Sequence, residues 1–123
     1  MSNIYKSSCH CGAVELELYM PDGLKDLKRC NCSICSMKGA VVGSIELDNL
    51  KVTKGKHNLT KYVFGTFEAK HYFCSMCGIY THHKRRSNPN QYGFNIACVD
   101  GVNIEDYKFV QYLDGKNNHP SDK

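Results

Sequence analysis

Three cysteines, Cys30, Cys32 and Cys35, fall within six positions of the stretch RCNCSICSMKG. Two thiols can bridge and four can close a tetrahedral cage around a metal ion, but three do neither alone. Two further groups stand elsewhere in the chain, Cys9/Cys11 in CHCG and Cys74/Cys77 in CSMCG, and Cys98 stands apart. The two-residue spacing of Cys74 and Cys77 is a knuckle, a backbone turn that brings both sulfurs to one ion. Zinc takes four nitrogen or sulfur ligands in a tetrahedron, so the knuckle needs a second pair, and Cys9 and Cys11 are the simplest candidates. One ion joining two distant parts of a small chain also stabilises its fold, because the unfolded chain has no preformed site.

Disulfides are the competing use of eight cysteines. The opening MSNIYKSSCH lacks the apolar core of an export signal. A reducing cytoplasm keeps thiols reduced, and Cys9-His10-Cys11 and Cys30-Asn31-Cys32 are spaced too tightly for an easy internal bridge.

Three thiolates leave one position of a tetrahedral zinc site to fill. Closed structural sites take all four ligands from protein, whereas catalytic zinc keeps one position for water or substrate. Cys98, His10, His71, His82 or His83 would close the site; a substrate would leave it catalytic. Three thiolates around a zinc dication carry a formal charge of −1. Such an ion is a weak Lewis acid towards water but suits a fourth soft ligand, a thiol bound as thiolate. The chemistry that follows is attack of sulfur on an electrophilic carbon.

The elements that must position these groups are short. Val14, Leu16 and Leu18 alternate with Glu15 and Glu17, the period of a half-buried strand. Pro21-Asp22-Gly23 is a turn. Residues 24 to 29 suit a single helical turn, and residues 40 to 54 read as strand, turn at Asp48-Asn49, and strand. Residues 59 to 64 are strand-like up to Gly65-Thr66. Strands lead into and out of the Cys74 knuckle. Residues 92 to 99 form a strand that carries Cys98 on the face of Phe94 and Ile96, a core position. Residues 107 to 113 form the last strand, and a polar tail runs from 114 to 123. Phe64, Tyr72, Phe73, Tyr92 and Phe94 read as core aromatics. No long helical periodicity is present.

The chain of 123 residues is read as one domain, 1 to 123. An apolar content of 41% and a charged content of 23% are ordinary for a globular protein. No apolar run approaches the length needed to span a bilayer, so the expectation is a soluble cytoplasmic protein with no membrane partner. A net charge of +4 is mild and lacks interleaved aromatics, which argues against nucleic acid as partner. The densest basic run, Lys84-Arg85-Arg86, is either a solvated loop or an anion site.

The motifs Cys9-His10-Cys11-Gly12-Ala13-Val14, Cys30-Asn31-Cys32-Ser33-Ile34-Cys35 and His71-Tyr72-Phe73-Cys74-Ser75-Met76-Cys77-Gly78-Ile79 resemble those of the glutathione-dependent formaldehyde-activating enzyme family, whose domain is shared with centromere protein V. Tyr62-Val63-Phe64-Gly65-Thr66 and the stretch from Asn88 to Gly101 resemble it too. The likeness runs from about residue 9 to residue 113. It implies a mainly β fold, the β-tent, of layered short antiparallel sheets stapled by zinc. It implies two zinc ions, a structural one on Cys9, Cys11, Cys74 and Cys77 and a catalytic one on Cys30, Cys32 and Cys35, with Cys98 outside both. It implies a carbon–sulfur lyase that condenses glutathione, or another small thiol, with formaldehyde, or another small electrophile, to S-(hydroxymethyl)glutathione. Lys84, Arg85 and Arg86 are then candidates for a rim that holds the anionic tripeptide. His10, His71, His82 and His83 are candidates for proton transfer. The alternative function is a non-enzymatic zinc module that binds a protein or a thiol ligand.

Overall fold

In the computed structural model, residues 3–24, 26–86, 88–107 and 110–114 are described. Ten short strands and one short helix follow in order: β1 Ile4–Ser8, β2 Glu15–Tyr19, β3 Lys28–Cys30, α1 Ser33–Lys38, β4 Val42–Glu46, β5 Leu50–Lys54, β6 Leu59–Tyr62, β7 Lys70–Cys74, β8 Tyr80–Lys84, β9 Gln91–Asn95 and β10 Gln111–Leu113. They form two sheets, a three-stranded one in the order β1-β2-β5 and a seven-stranded one in the order β10-β3-β4-β9-β8-β7-β6. All pairings are antiparallel except β10 on β3. The mainly β, layered architecture expected from the sequence is the one observed.

The alternation read in β2 is real. Leu16 and Leu18, with Val14 just before them, are fully buried, while Glu15 and Glu17 reach solvent. Their core partners come from both sheets: Leu50 on β5, Ile45 on β4 and Phe94 on β9, with Val41, Ile96 and Val99 from the flanking turns. Burying these aliphatic chains, at about 1.5–3 kcal/mol each, is the main force holding one sheet on the other. Of the aromatics read as core, Phe94 is completely buried and Phe64, Tyr72, Phe73 and Tyr92 are half-buried.

Several boundaries differ from the sequence expectation. Among the described residues of 24 to 29 there is no helical turn, and their end is strand β3; position 25 lies outside the described residues. The helix lies instead on the cysteine stretch. Six residues long, Ser33–Lys38, it is flanked by Cys32 at the N-cap and by Gly39 at the C-cap, which takes the left-handed conformation (φ 63°) and donates its N–H to the Cys35 carbonyl. Strand β9 stops at Asn95, whose side chain accepts from the Ala97 amide and caps a 3-10 turn, Ile96–Cys98. Cys98 is therefore on a half-buried turn and not on the face of a core strand. The last strand is shorter than expected, Gln111–Leu113, and positions 108 and 109 lie outside the described residues, as does the tail from 115.

One cross-strand row matters for the site. Tyr62 on β6 pairs with His71 on β7, His71 with His83 on β8, His83 with Gly93 on β9, and Gly93 with Ser44 on β4. Directly paired residues present their side chains on one face of a sheet, so this row shares a face.

Candidate metal centres and the adjoining cavity

The four cysteines paired by spacing come together. The sulfurs of Cys9, Cys11, Cys74 and Cys77 lie within 4.8 Å of one another. Each pair sits on a tight turn that ends in a glycine. Gly12 and Gly78 take φ 78°, a conformation a side chain disfavours, and donate back to the carbonyls of Cys9 and Cys74. Backbone amides point at the inner sulfurs: Val14 N–H donates to Cys9 Sγ at 3.3 Å and Met76 N–H to Cys74 Sγ at 3.4 Å. Such donors stabilise thiolate over thiol. The Cys11 amide, then that of Ile79, outweighs burial and pulls the Cys77 thiol down to about 6. Burial resists ionisation of Cys9, but the Val14 amide and the Cys74 and Cys11 thiols prevail and lower it.

The spacing fits zinc. A tetrahedron of sulfurs about 2.3 Å from a central ion has edges of about 3.8 Å. The Cys9–Cys11 and Cys11–Cys74 sulfurs are 3.7 Å apart.

Cys30, Cys32 and Cys35 form a second group, their sulfurs again within 4.8 Å of one another. Cys30 ends β3, Cys32 caps α1, and Cys35 lies three residues further, so one helical turn places both helix thiols on the same side. The cluster resists ionising on its own charge. Contact with the Cys30 thiol and then with Cys32 drives Cys35 far above the ordinary thiol range, burial adds to this, and Lys38 offsets part of it. Three thiols crowded in this way could hold a metal ion.

Among the described residues no fourth cysteine, histidine or carboxylate joins this group. Cys98 approaches the Tyr80 carbonyl at 3.6 Å instead. His10 is exposed on the first of the two turns. His82 is buried, stacked on Tyr72 at 4.8 Å and edge-on to Tyr92, and shares a hydrogen bond with the Thr81 hydroxyl.

The three thiols line a cavity of about 80 Å³. His71 and His83, from the cross-strand row, line it too. Three basic residues, Lys28, Arg85 and Arg86, are also among its lining. Two members of the basic run thus reach the cavity, and Lys84 is not among its lining residues. Lys28 is almost fully buried and donates to the backbone and side-chain oxygens of Asp26 and to Ser44 Oγ. Arg85 donates to the same hydroxyl at 3.0 Å and to Gln91 Oε1 at 2.6 Å. Burial, followed by the charge of Arg85, lowers the Lys28 pKa against the pull of Asp26.

Lys38, at the end of α1, ties the helix to the row. Its Nζ is 2.8 Å from His71 Nδ1 and 3.6 Å from the centre of the Tyr80 ring. The Tyr80 hydroxyl bonds His83 Nδ1. Sequence reasoning missed Lys28, Ser44, Lys38, Tyr80 and Gly93. Only Lys38 left a signal, as a basic residue before Gly39 at a helix end.

Residues 4–111 match the family described as glutathione-dependent formaldehyde-activating enzyme. Among solved structures, the crystal structure of a Rhodobacter sphaeroides protein is similar, with a TM-score of 0.84 and 51% sequence identity over 88% of this chain and 99% of that one.

Proposed function

The chain belongs to the glutathione-dependent formaldehyde-activating enzyme family, and on that premise we propose that it is a cytoplasmic, zinc-dependent carbon–sulfur lyase and synthase. Its substrates are a small thiol, glutathione first among them, and formaldehyde or another small electrophile. The product in the forward direction is the S-(hydroxymethyl) thiol. Cys9, Cys11, Cys74 and Cys77 hold a structural zinc, and Cys30, Cys32 and Cys35 hold the catalytic one.

The observation that carries this reading is the three-thiol group with no fourth protein donor among the described residues, set in the wall of a cavity with cationic side chains. Bound there, zinc would supply a fourth position at which a thiol loses its proton yet keeps its nucleophilic lone pair.

The chain's own residues do the rest. Cys30, Cys32 and Cys35 fix the geometry from a strand end and a helical turn. A cavity of about 80 Å³ is far below the 300–1,000 Å³ of ordinary ligand pockets. It holds a thiol end and a one-carbon electrophile, and the body of the tripeptide lies over the rim. Lys28, Arg85 and Arg86 offset the negative charge of three thiolates and favour an anionic thiol substrate.

The test is spectroscopic. Protein loaded with cobalt is titrated with glutathione and, separately, with S-methylglutathione, which lacks the thiol. A change in the sulfur-to-metal charge-transfer band with glutathione alone is the expected result. No change in fully loaded protein overturns the reading. The alternative, a non-enzymatic zinc module, is favoured by the exposed Met37 on α1 and Phe67 beside the cavity loop. It predicts no acceleration of hemithioacetal formation or cleavage over buffer.

A further inference from the structure

Neither His71 nor His83 is free to choose which ring nitrogen carries its proton. An ammonium group has only protons to give. Burial lowers Lys38 to about 8, against the pull of the Cys35 and Cys32 thiols, so it carries its proton at neutral pH, and its place over the Tyr80 ring suits a cation. His71 Nδ1, 2.8 Å from Lys38 Nζ, therefore accepts, which puts the single proton of a neutral ring on Nε2. Tyr80 is half-buried, and desolvation holds its phenol well above its usual pKa, so it keeps its proton and donates to His83 Nδ1. His83 is thus also an Nε2–H imidazole.

Both rings stay neutral. Burial, then the charge of Lys38, pushes His71 down to about 4. Burial first, then the charge of Lys38, with Arg85 adding to it, holds His83 well below its ordinary value. The hydrogen bonds of both rings to described residues are made at Nδ1, and neither Nε2–H donates to one. The rings stack with centroids 5.3 Å apart and planes 20° from parallel, and both line the cavity that holds the three thiols. Nε2–H is the one polar group each ring can offer a molecule in that cavity.

We propose that the Nε2–H groups of His71 and His83 form a paired donor site for a developing oxyanion, with Lys38 and Tyr80 as positioning residues that fix the two tautomers. The inference rests on the reading of the cavity as a site of thiol addition. It narrows the electrophile to a carbonyl compound. The thiol gives its proton to water, the sulfur lone pair forms the carbon–sulfur bond, the carbonyl π pair moves onto oxygen between the two N–H groups, and that oxygen takes a proton back from water. Cleavage is the reverse, and no electrons enter or leave. An alkylating electrophile, which expels a leaving group and makes no alkoxide, has no use for such a pair. The histidines act as donors and not as the proton carriers for which they were candidates, because imidazoles so hard to protonate are poor bases.

Nitrogen-15 NMR of the zinc-loaded protein at pH 7 reads the tautomers without turnover. The expected spectrum shows Nε2 protonated and Nδ1 bare on both rings, with the His71 pattern lost in Lys38→Met. An Nδ1–H tautomer or an imidazolium on either ring in the parent protein overturns the proposal. In kinetics, His71→Phe and His83→Phe lower the rate of hemithioacetal cleavage by about tenfold or more while cobalt-monitored glutathione affinity stays unchanged. His71→Gln, which restores an N–H, recovers part of the loss. Unchanged rates in both Phe variants overturn the donor role even where thiol binding is intact. Absence of thiol binding in the parent protein instead removes the reading on which the role depends, whatever the tautomers.

Discussion

The imidazole of His83 occupies the space that a side chain at position 93 would need. A Cβ built on Gly93 would lie 2.4 Å from His83 Cε1, well inside any real carbon–carbon contact. The two residues are direct partners across β8 and β9, and the ring is held from its other sides by Tyr80 and His71. The glycine is there for the ring's sake, not for backbone freedom. Gly93→Ala is expected to cost about 1–3 kcal/mol through overpacking, read by urea unfolding, and to shift the His83 ring signals. An unchanged midpoint with unchanged signals would show that the row has slack.

Cys98 offers a test of metal count. Its sulfur sits against the Tyr80 carbonyl and outside both sulfur groups. Cys98→Ala is expected to retain two zinc ions per chain by elemental analysis, and Cys35→Ala one. Loss of an ion from the Cys98 variant would restore it as a ligand.

Acid should weaken the fold through His82. Burial, then Lys38, lowers its pKa from 6.5 to about 4. Between those values the unfolded chain binds a proton on this ring and the folded chain does not, so stability rises with pH across that window and falls as acid is added. The full effect is about 3 kcal/mol. His82→Asn is expected to reduce the slope of unfolding free energy against pH by about one proton between pH 6.5 and 4, relative to the parent. Metal release in acid affects both proteins alike, so an identical slope would count against a neutral buried His82.

Ser7 is fully buried, and its hydroxyl has no hydrogen-bond partner among the described residues. Removing an unsatisfied buried hydroxyl relieves its desolvation cost. Ser7→Ala is expected to raise stability by about 1 kcal/mol, seen as a higher melting temperature. A drop in melting temperature would mean that the hydroxyl is satisfied after all.

Ser7 also explains a blind spot. Strand β1 was not legible because its core-facing position carries a serine, so IYKSS shows no apolar alternation. Strand β2 was plain because Leu16 and Leu18 alternate with glutamates. The two sulfur groups were legible because chelation demands close spacing, which is a local property. Helix α1 was hidden because it buries none of its residues and so has no apolar stripe to read. The row from Tyr62 to Ser44 joins five strands, and nothing local in the chain records that register. Lys28 illustrates the same limit: its burial depends on Asp26 and on Ser44, the latter brought in by another strand.

Strand β10 lies parallel to β3, with Leu113 opposite Cys30. The Asn31 amide donates to the Leu113 carbonyl, and the Asn31 side chain reaches Asp114, a partner 83 positions away. As the chain leaves the ribosome, the last cysteine of the four-thiol cage emerges at residue 77, so that cage has all its ligands early. The flank of the three-thiol site comes only with the final strand. The three thiols have themselves emerged by residue 35, so synthesis completes both sets of sulfurs before it delivers the strand that flanks one of them, and that group gains its lateral support only once the rest of its sheet has been made.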